Sequence, residues 1–432
     1  MENKKTVVFA TATYGLSETQ RMTQIARELK NLDRFDVVVA HYCPEDLPFS
    51  FAKIIKDEGL DQVVLEPAMT EEDVNHIFAV DRGEKSGELL PAEFLECRLE
   101  HELDFLRSMN VLCVVTGFCL SFYLSCRLLD IPIISVLSGS FKWWMSRPIQ
   151  ERRIPDMMSG GVFNILPKKW IANVTEWFSY HYKGPLKTVN RILINNNKKP
   201  FSGFMDFLGG DYFFASDIPE YIPINNCDKR FIYTGPLIGR LKGDVPKEAY
   251  QARKTADEKG WPLVYFAMGS SGKPEFVKRC LEILAGQKMI VLSPMKNLLH
   301  QKKETQSFMP ATNIFLTEWL PADKTNPMCD IALIHGGQGT VYTAILSRTP
   351  FCAIGNGNIE QEFNVEAGVF HGFARLFRRQ AVKPEQIIQA LLELYQDKNA
   401  YKNIEAMAKL IERPEWNGEI RAAKTILEIF KE

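Results

Sequence analysis

The sequence predicts an α/β protein with two domains, each built on an open parallel sheet. Three observations carry this expectation. At 432 residues the chain is too long for one ordinary hydrophobic core. Short apolar runs alternate with helix-periodic segments through both halves, which is the pattern of parallel α/β units. In the second half, glycine-bearing turns stand directly after strand-like runs, where an open sheet presents its binding crevice.

The elements follow in order. Thr6–Ala10 is an apolar run of strand length, and Glu18–Asn31 has helical periodicity. Phe35–Ala40 and Gln62–Leu65 read as strands. Pro91–Met109 is a long helix, Val111–Thr116 a strand and Leu120–Leu129 a helix. Ile131–Val136 and Tyr212–Ala215 are further strands of this half. Between them, residues about 138–185 break the rhythm with aromatic and basic residues, and are expected to form an insertion over the cleft. Asp217–Pro223 reads as a connector, and Arg230–Thr234 as the opening of the second half. There, Pro262–Phe266, Lys288–Leu292, Asn313–Thr317, Asp330–His335 and Pro350–Ile354 read as strands. Pro274–Ala285, Gln338–Leu346, Glu360–Val369 and Lys383–Gln396 read as helices, followed by helical segments at Tyr401–Ile411 and Gly418–Phe430. The expected divisions are 1–228, 229–412 and a final helix within 413–432.

Bulk properties exclude several classes. The net charge of −1 gives no sign of a nucleic-acid partner, which would normally need a basic face. No window reaches the about 18 consecutive apolar residues of a transmembrane helix, and the first residues lack the pattern of a signal peptide. The nine cysteines are scattered and form no Cys-x-x-Cys pair, which suggests free thiols in a reducing cytoplasm.

The most informative stretch runs from Glu318 to Asn364. It contains Trp319-Leu320-Pro321, then His335-Gly336-Gly337-Gln338-Gly339-Thr340, then Glu360-Gln361 and Asn364. Glycines between a strand and a helix let backbone approach a pyrophosphate, and the helix N-terminus offers free N–H groups and a positive dipole end. Such a turn alone is also a common packing device. The indole of Trp319 offers a stacking face for a base, and Glu360 with Gln361 suits sugar hydroxyls.

Together these residues resemble the donor signature of the nucleotide-sugar glycosyltransferases with two Rossmann-like domains facing across a cleft, the GT-B fold. His-Gly-Gly-x-Gly-Thr fits the bacterial macrolide and antibiotic branch better than the plant branch. The resemblance implies an acceptor-binding first domain, a donor-binding second domain, and a final helix crossing back onto the first. It implies transfer of a hexose from a UDP- or TDP-sugar to a small lipophilic or aromatic hydroxyl compound, with inversion. No cofactor and no metal are expected, since no Asp-x-Asp cluster lies near the donor signature. The implied donor site comprises Met268, Gly269, Ser270, Ser271, Trp319, His335, Gly337, Gly339, Thr340, Glu360 and Gln361. Ala322 stands where plant members carry Gln, and Thr343 where they carry a ribose-binding Glu.

For the acceptor, Tyr14, Phe118, Trp143, Trp144 and Trp177 are the expected contacts. Glu18 falls where most members carry a catalytic His, and is the candidate general base; Ser17 and Glu18 also make an N-cap pair. The Asp that orients the His is missing, with Val115-Thr116-Gly117-Phe118 in its place. Three other readings stay open: a peripheral membrane glycolipid synthase, a non-catalytic protein of the same fold, and a nucleotide-sugar 2-epimerase. A monomer or homodimer is expected. Membrane contact through 138–185 is conceivable but not expected.

Overall fold

A computed structural model describes residues 4–81, 84–159, 163, 165–225, 227–239, 243–269, 272–300, 303–355, 357–378 and 383–431. The first sheet holds seven parallel strands: β1 (Thr6–Ala10), β2 (Asp36–His41), β3 (Asp61–Val64), β4 (Val111–Thr116), β5 (Ile133–Leu137), β6 (Tyr212–Ala215) and β7 (Phe231–Tyr233). Their spatial order is β3-β2-β1-β4-β5-β6-β7. The second sheet holds β8 (Leu263–Ala267), β9 (Ile290–Ser293), β10 (Ile314–Leu316), β11 (Ile331–Ile334), β12 (Phe351–Ile354) and β13 (Ala374–Phe377), in the order β10-β9-β8-β11-β12-β13. All strand pairs are parallel, and strands such as β1, β8, β9 and β11 are buried along their whole length. That is why they read as continuous apolar runs rather than alternating ones.

Helices cover both faces. Those of the first half are α1 (Leu16–Asn31), α2 (Lys53–Asp57), α3 (Glu71–Asp81), α4 (Ala92–Arg107), α5 (Ser121–Leu129), α6 (Ser140–Ser146), α7 (Lys168–His181), α8 (Lys187–Asn195) and α9 (Phe204–Gly209). The second half has α10 (Lys247–Lys259), α11 (Pro274–Leu284), α12 (Lys296–Leu299), α13 (Lys303–Gln306), α14 (Ala322–Thr325), α15 (Gln338–Leu346), α16 (Ile359–Phe370) and α17 (Pro384–Gln396). The last two are α18 (Lys398–Ile411) and α19 (Gly418–Ile429). Helix α19 returns to the first sheet. Its Ala422, Ala423 and Ile426 share a core with Met22, Ile25, Ala26 and Leu29 of α1, and Arg421 donates to the Tyr233 carbonyl at 2.8 Å.

Two features differ from the sequence reading. Strand β7 pairs with β6, so a boundary at 229 cuts the first sheet. A three-residue strand at a sheet edge carries no signal of which sheet it joins. The aromatic side chains of Trp143 and Trp144 in the 138–185 insertion turn inward and are fully buried. The insertion clamps helix α16: Trp144 stacks on Phe363 at 4.7 Å, and Arg147 pairs with Glu366 at 2.5 Å.

Each sheet reverses its strand order once, between β1 and β4 and between β8 and β11. In open α/β sheets the carboxyl ends at such a reversal frame the binding crevice. The two reversals meet across the molecule, where Arg21 of α1 reaches Gln338 of α15.

Candidate active site

The second sheet's reversal point is built from backbone. Strand β8 leads to Met268 and Gly269, and β11 to His335, Gly336 and Gly337, which caps α15. The His335 ring is wedged between the two turns. A Cβ on Gly269 would lie 2.6 Å from His335 Nε2, and one on Gly337 2.5 Å from it, so a side chain at either position would displace the His335 ring. Gly269 has φ +69° and Gly336 φ +93°, a backbone region open to glycine. A Cβ on Gly336 would also strike the Gln361 carbonyl at 2.7 Å. Burial pushes the His335 imidazole down to about 4, so it is neutral near pH 7. A backbone hydrogen bond at Ala267 opposes this shift only in part. Above the ring, the first N–H groups of α15 have no acceptor within the helix.

The other donor-side residues are spread around this turn. Met268 is buried in the second core, so only its backbone faces the turn. Ser270 and Ser271 lie outside the described residues. Thr340 spends its hydroxyl proton on the Gly337 carbonyl at 2.7 Å, which leaves only lone pairs for a ligand. Gly339 faces the α1 side, where a Cβ would meet Ser17 Oγ at 3.8 Å. Trp319, after β10, is 46 % exposed, which leaves an indole face free to stack. Glu360 and Gln361 open α16, whose N-cap Asn358 accepts from the Gln361 N–H at 3.2 Å. Burial raises the Glu360 carboxyl, opposed by nearby Arg21.

The first sheet's reversal point is built from side chains. Glu18 is 4 % exposed. Its Oε1 accepts from the N–H groups of Gly117 at 2.9 Å and Phe118 at 2.8 Å. Its Oε2 accepts from Arg21 at 3.0 Å. Glu18 thus ties α1 to the backbone of the turn after β4. Oε1 is filled by the two backbone donors, while Oε2 holds one bond to Arg21 and keeps a lone pair that can take a proton. Gly117 is required here as well, since a Cβ would lie 2.5 Å from Glu18 Oε2.

Arg21 begins a polar chain across the cleft. It donates to Gln338 Oε1 at 3.0 Å, and the Gln338 amide donates to the Ser216 carbonyl and to Asp217 Oδ1, each at 3.0 Å. Asp217 also accepts from Tyr342 at 2.7 Å and from the Gly139 N–H at 2.6 Å. Ser138 then joins Asp217 to Asn364, and Asn364 reaches the Gly336 carbonyl. Burial raises the Asp217 carboxyl against these donors. A sequence reading misses this chain. Asp217 read as part of a connector, and Arg21 was not singled out. Their partners are 121 and 317 positions away along the chain, and no local pattern encodes that.

The acceptor expectations divide. Tyr14 and Phe118 do line a cavity, with Thr13, Tyr42, Cys119 and Ser121 among its other walls, but its volume is only about 20 Å³. Trp143 and Trp144 do not. Both are fully buried; Trp143 packs edge-on to Phe370 and beneath Arg147, and Trp144 donates its N–H to the Arg153 carbonyl. They are structural parts of the clamp on α16. Trp177 lies on the outer surface of α7. Their aromatic composition suited a ligand site, but it suits an interface core equally well. Among the described residues no three His, Cys, Asp or Glu side chains form a metal-ligand set, and no helix is long and apolar enough to cross a membrane.

The architecture is that of the GT-B proteins, with two Rossmann-like sheets opposed at their reversal points. The glycosyltransferase of kitacinnamycin superposes with a TM-score of 0.65 at 16 % identity, covering 98 % of this chain and 99 % of that one. The spinosyn rhamnosyltransferase complexed with thymidine diphosphate gives 0.59 at 12 %, covering 98 % and 99 %. Among curated sequences, the chain is 24 % identical over 281 residues to a PGL/p-HBAD biosynthesis glycosyltransferase of Mycobacterium tuberculosis. That match takes in 64 % of this chain and 61 % of the relative's length. No protein-family model matches the chain.

Proposed function

We propose that the protein is an inverting glycosyltransferase that moves a hexose from a UDP- or TDP-sugar to a hydroxyl of a small lipophilic or aromatic acceptor, without a metal. The observation that carries this is the pair of glycine turns closing on His335 at the N-terminus of α15. In this reading the diphosphate sits on the free N–H groups of that helix, the base stacks on Trp319, and Glu360 and Gln361 hold the sugar. The thymidine diphosphate in the superposed rhamnosyltransferase and the sugar transfer for which the relatives are named support the same substrate class.

Arg21 gives the reaction an order. It lies between Glu18 and the donor turn, held by both. An incoming diphosphate competes for its guanidinium and frees Glu18 Oε2. The acceptor oxygen then attacks the anomeric carbon opposite the diphosphate. The bond from that carbon to the diphosphate oxygen breaks, its electron pair leaves with the diphosphate, and the acceptor proton passes to Glu18. Arg21 and the helix N-terminus balance the leaving charge.

The test is incubation with UDP- and TDP-hexoses, with and without a panel of phenols, in chelator. Acceptor-dependent release of nucleotide, with a product of inverted anomeric configuration, is expected. Donor breakdown or epimerisation that ignores the acceptor overturns the proposal in favour of an epimerase.

A further inference from the structure

We infer that the outward face of α7 is a docking surface for an anionic lipid bilayer. The surface lies outside the cleft, and the inference is independent of the reaction proposed there.

Helix α7 has two apolar faces. One is ordinary: Ile171 and Ala172 are buried against the insertion's own small core with Ile154. The other faces solvent. Trp170, Val174, Trp177 and Phe178 recur at i, i+4, i+7 and i+8, with Trp170 63 % and Trp177 54 % exposed. Ile165 before the helix is 82 % exposed, and Tyr182 after it 45 %. The rings support one another: Trp177 meets Phe178 at 5.4 Å, and Phe178 meets Tyr182 at 4.9 Å. A helix apolar on both sides is normally buried on both sides. Here none of the described residues covers the second side.

Charge identifies the occupant. Between Asp156 and Asp206 the sequence holds seven cations, Lys168, Lys169, Lys183, Lys187, Arg191, Lys198 and Lys199, against one acid, Glu176. Glu176 is already paired with Arg152 at 2.6 Å. The excess of six positive charges sits in a chain whose net charge is −1. Among the described residues Lys169, Lys183, Lys187 and Arg191 form no ion pair. Lys183, Lys187 and Arg191 line an open groove of about 460 Å³ just beyond α7. Six of the seven cations are lysine, a residue depleted at protein interfaces, whereas exposed tryptophan beside lysine is the composition of a membrane-interface helix.

Co-sedimentation with vesicles tests this. The wild type is expected to bind phosphatidylglycerol/phosphatidylcholine vesicles at least ten-fold better than phosphatidylcholine alone, and to release in 0.5 M salt. Lys169→Glu/Lys183→Glu should weaken binding by at least about five-fold for each lysine lost. Trp170→Ser/Trp177→Ser should weaken it by a similar factor, at an unchanged melting temperature. If the tryptophan variant fails to fold, the lysine variant, altered only at surface positions, decides. Failure to bind anionic vesicles at low salt overturns the inference. So does equal binding to neutral vesicles. A wild-type dimer in light scattering that becomes monomeric in the tryptophan variant also overturns it, because the face then belongs to a second copy of the chain.

Discussion

The two reversal points differ in what they are made of. At the second sheet, backbone does the shaping: Gly269, Gly336 and Gly337 surround His335, and the α15 N-terminus lies open. At the first sheet, side chains do it. Glu18 is held by three donors, and the cavity beside Tyr14 and Phe118 is nearly closed at about 20 Å³. A diphosphate is common to all donors of one class, so backbone geometry recognises it and glycines record that geometry in sequence. An acceptor is particular, and is met by side chains whose partners are set by the fold. In the proposed reading the second sheet's point is preformed, and the first sheet's has to open to admit an acceptor.

This difference decided what could be read in advance. The turn at His335 and the start of α16 at Glu360-Gln361 were legible because each is local, with a fixed spacing after a buried strand. Most strands were legible because parallel strands buried on both faces are plain apolar runs. Trp143 and Trp144 misled, because aromatic side chains serve a ligand and an interface core with the same chemistry. Asp217 and Arg21 were silent, because what makes them important is contact across the cleft. Strand β13 and helices α10 and α3 were also missed, each being short or weakly patterned.

The comparison can be broken by mutation, and the first-sheet side should give the largest effect. Glu18→Gln cannot accept the acceptor proton, so turnover should fall by about 100- to 10,000-fold with nucleotide affinity kept. Acceptors of lower hydroxyl pKa should suffer less. Near-normal turnover on a weakly acidic acceptor makes Glu18 a positioning anion for Arg21 and the Gly117 turn, nothing more.

Trp319→Ala comes next. Loss of one base-stacking face costs about 1–3 kcal/mol, read as roughly 5- to 150-fold weaker nucleotide binding in calorimetry. The exposed position means that the melting temperature should stay put. Unchanged affinity removes the base from this edge of the sheet.

The clamp between the halves gives a smaller, pH-dependent effect. Glu362 accepts from the Asp156 N–H, and burial beside Asp156 pushes its carboxyl up to about 8. Its folded value exceeds the ordinary value of 4.5. Its contribution to stability is therefore full below about 4.5 and declines as pH rises towards about 8, by at most about 1.4 kcal/mol per unit. Glu362→Gln should flatten that decline in melting curves between pH 5 and 8. His335 acts in the opposite sense. Its depressed value destabilises the fold as pH drops from about 6.5 towards 4, and His335→Asn should remove that loss. A wild-type melting temperature independent of pH across both windows contradicts both assignments.

The account rests most heavily on a nucleotide diphosphate seated where the two glycine turns close on His335. Calorimetric titration of UDP and TDP into the wild type and into Gly337→Ala tests it directly. Gly337 has φ −58°, so alanine fits the backbone, while its Cβ would press on the His335 ring. The wild type should bind at least one of the two nucleotides in the range of about 1 μM to 1 mM common for substrates, and the variant at least ten-fold more weakly at an unchanged melting temperature. Absence of wild-type binding up to millimolar nucleotide, or equal binding by the variant, would contradict it.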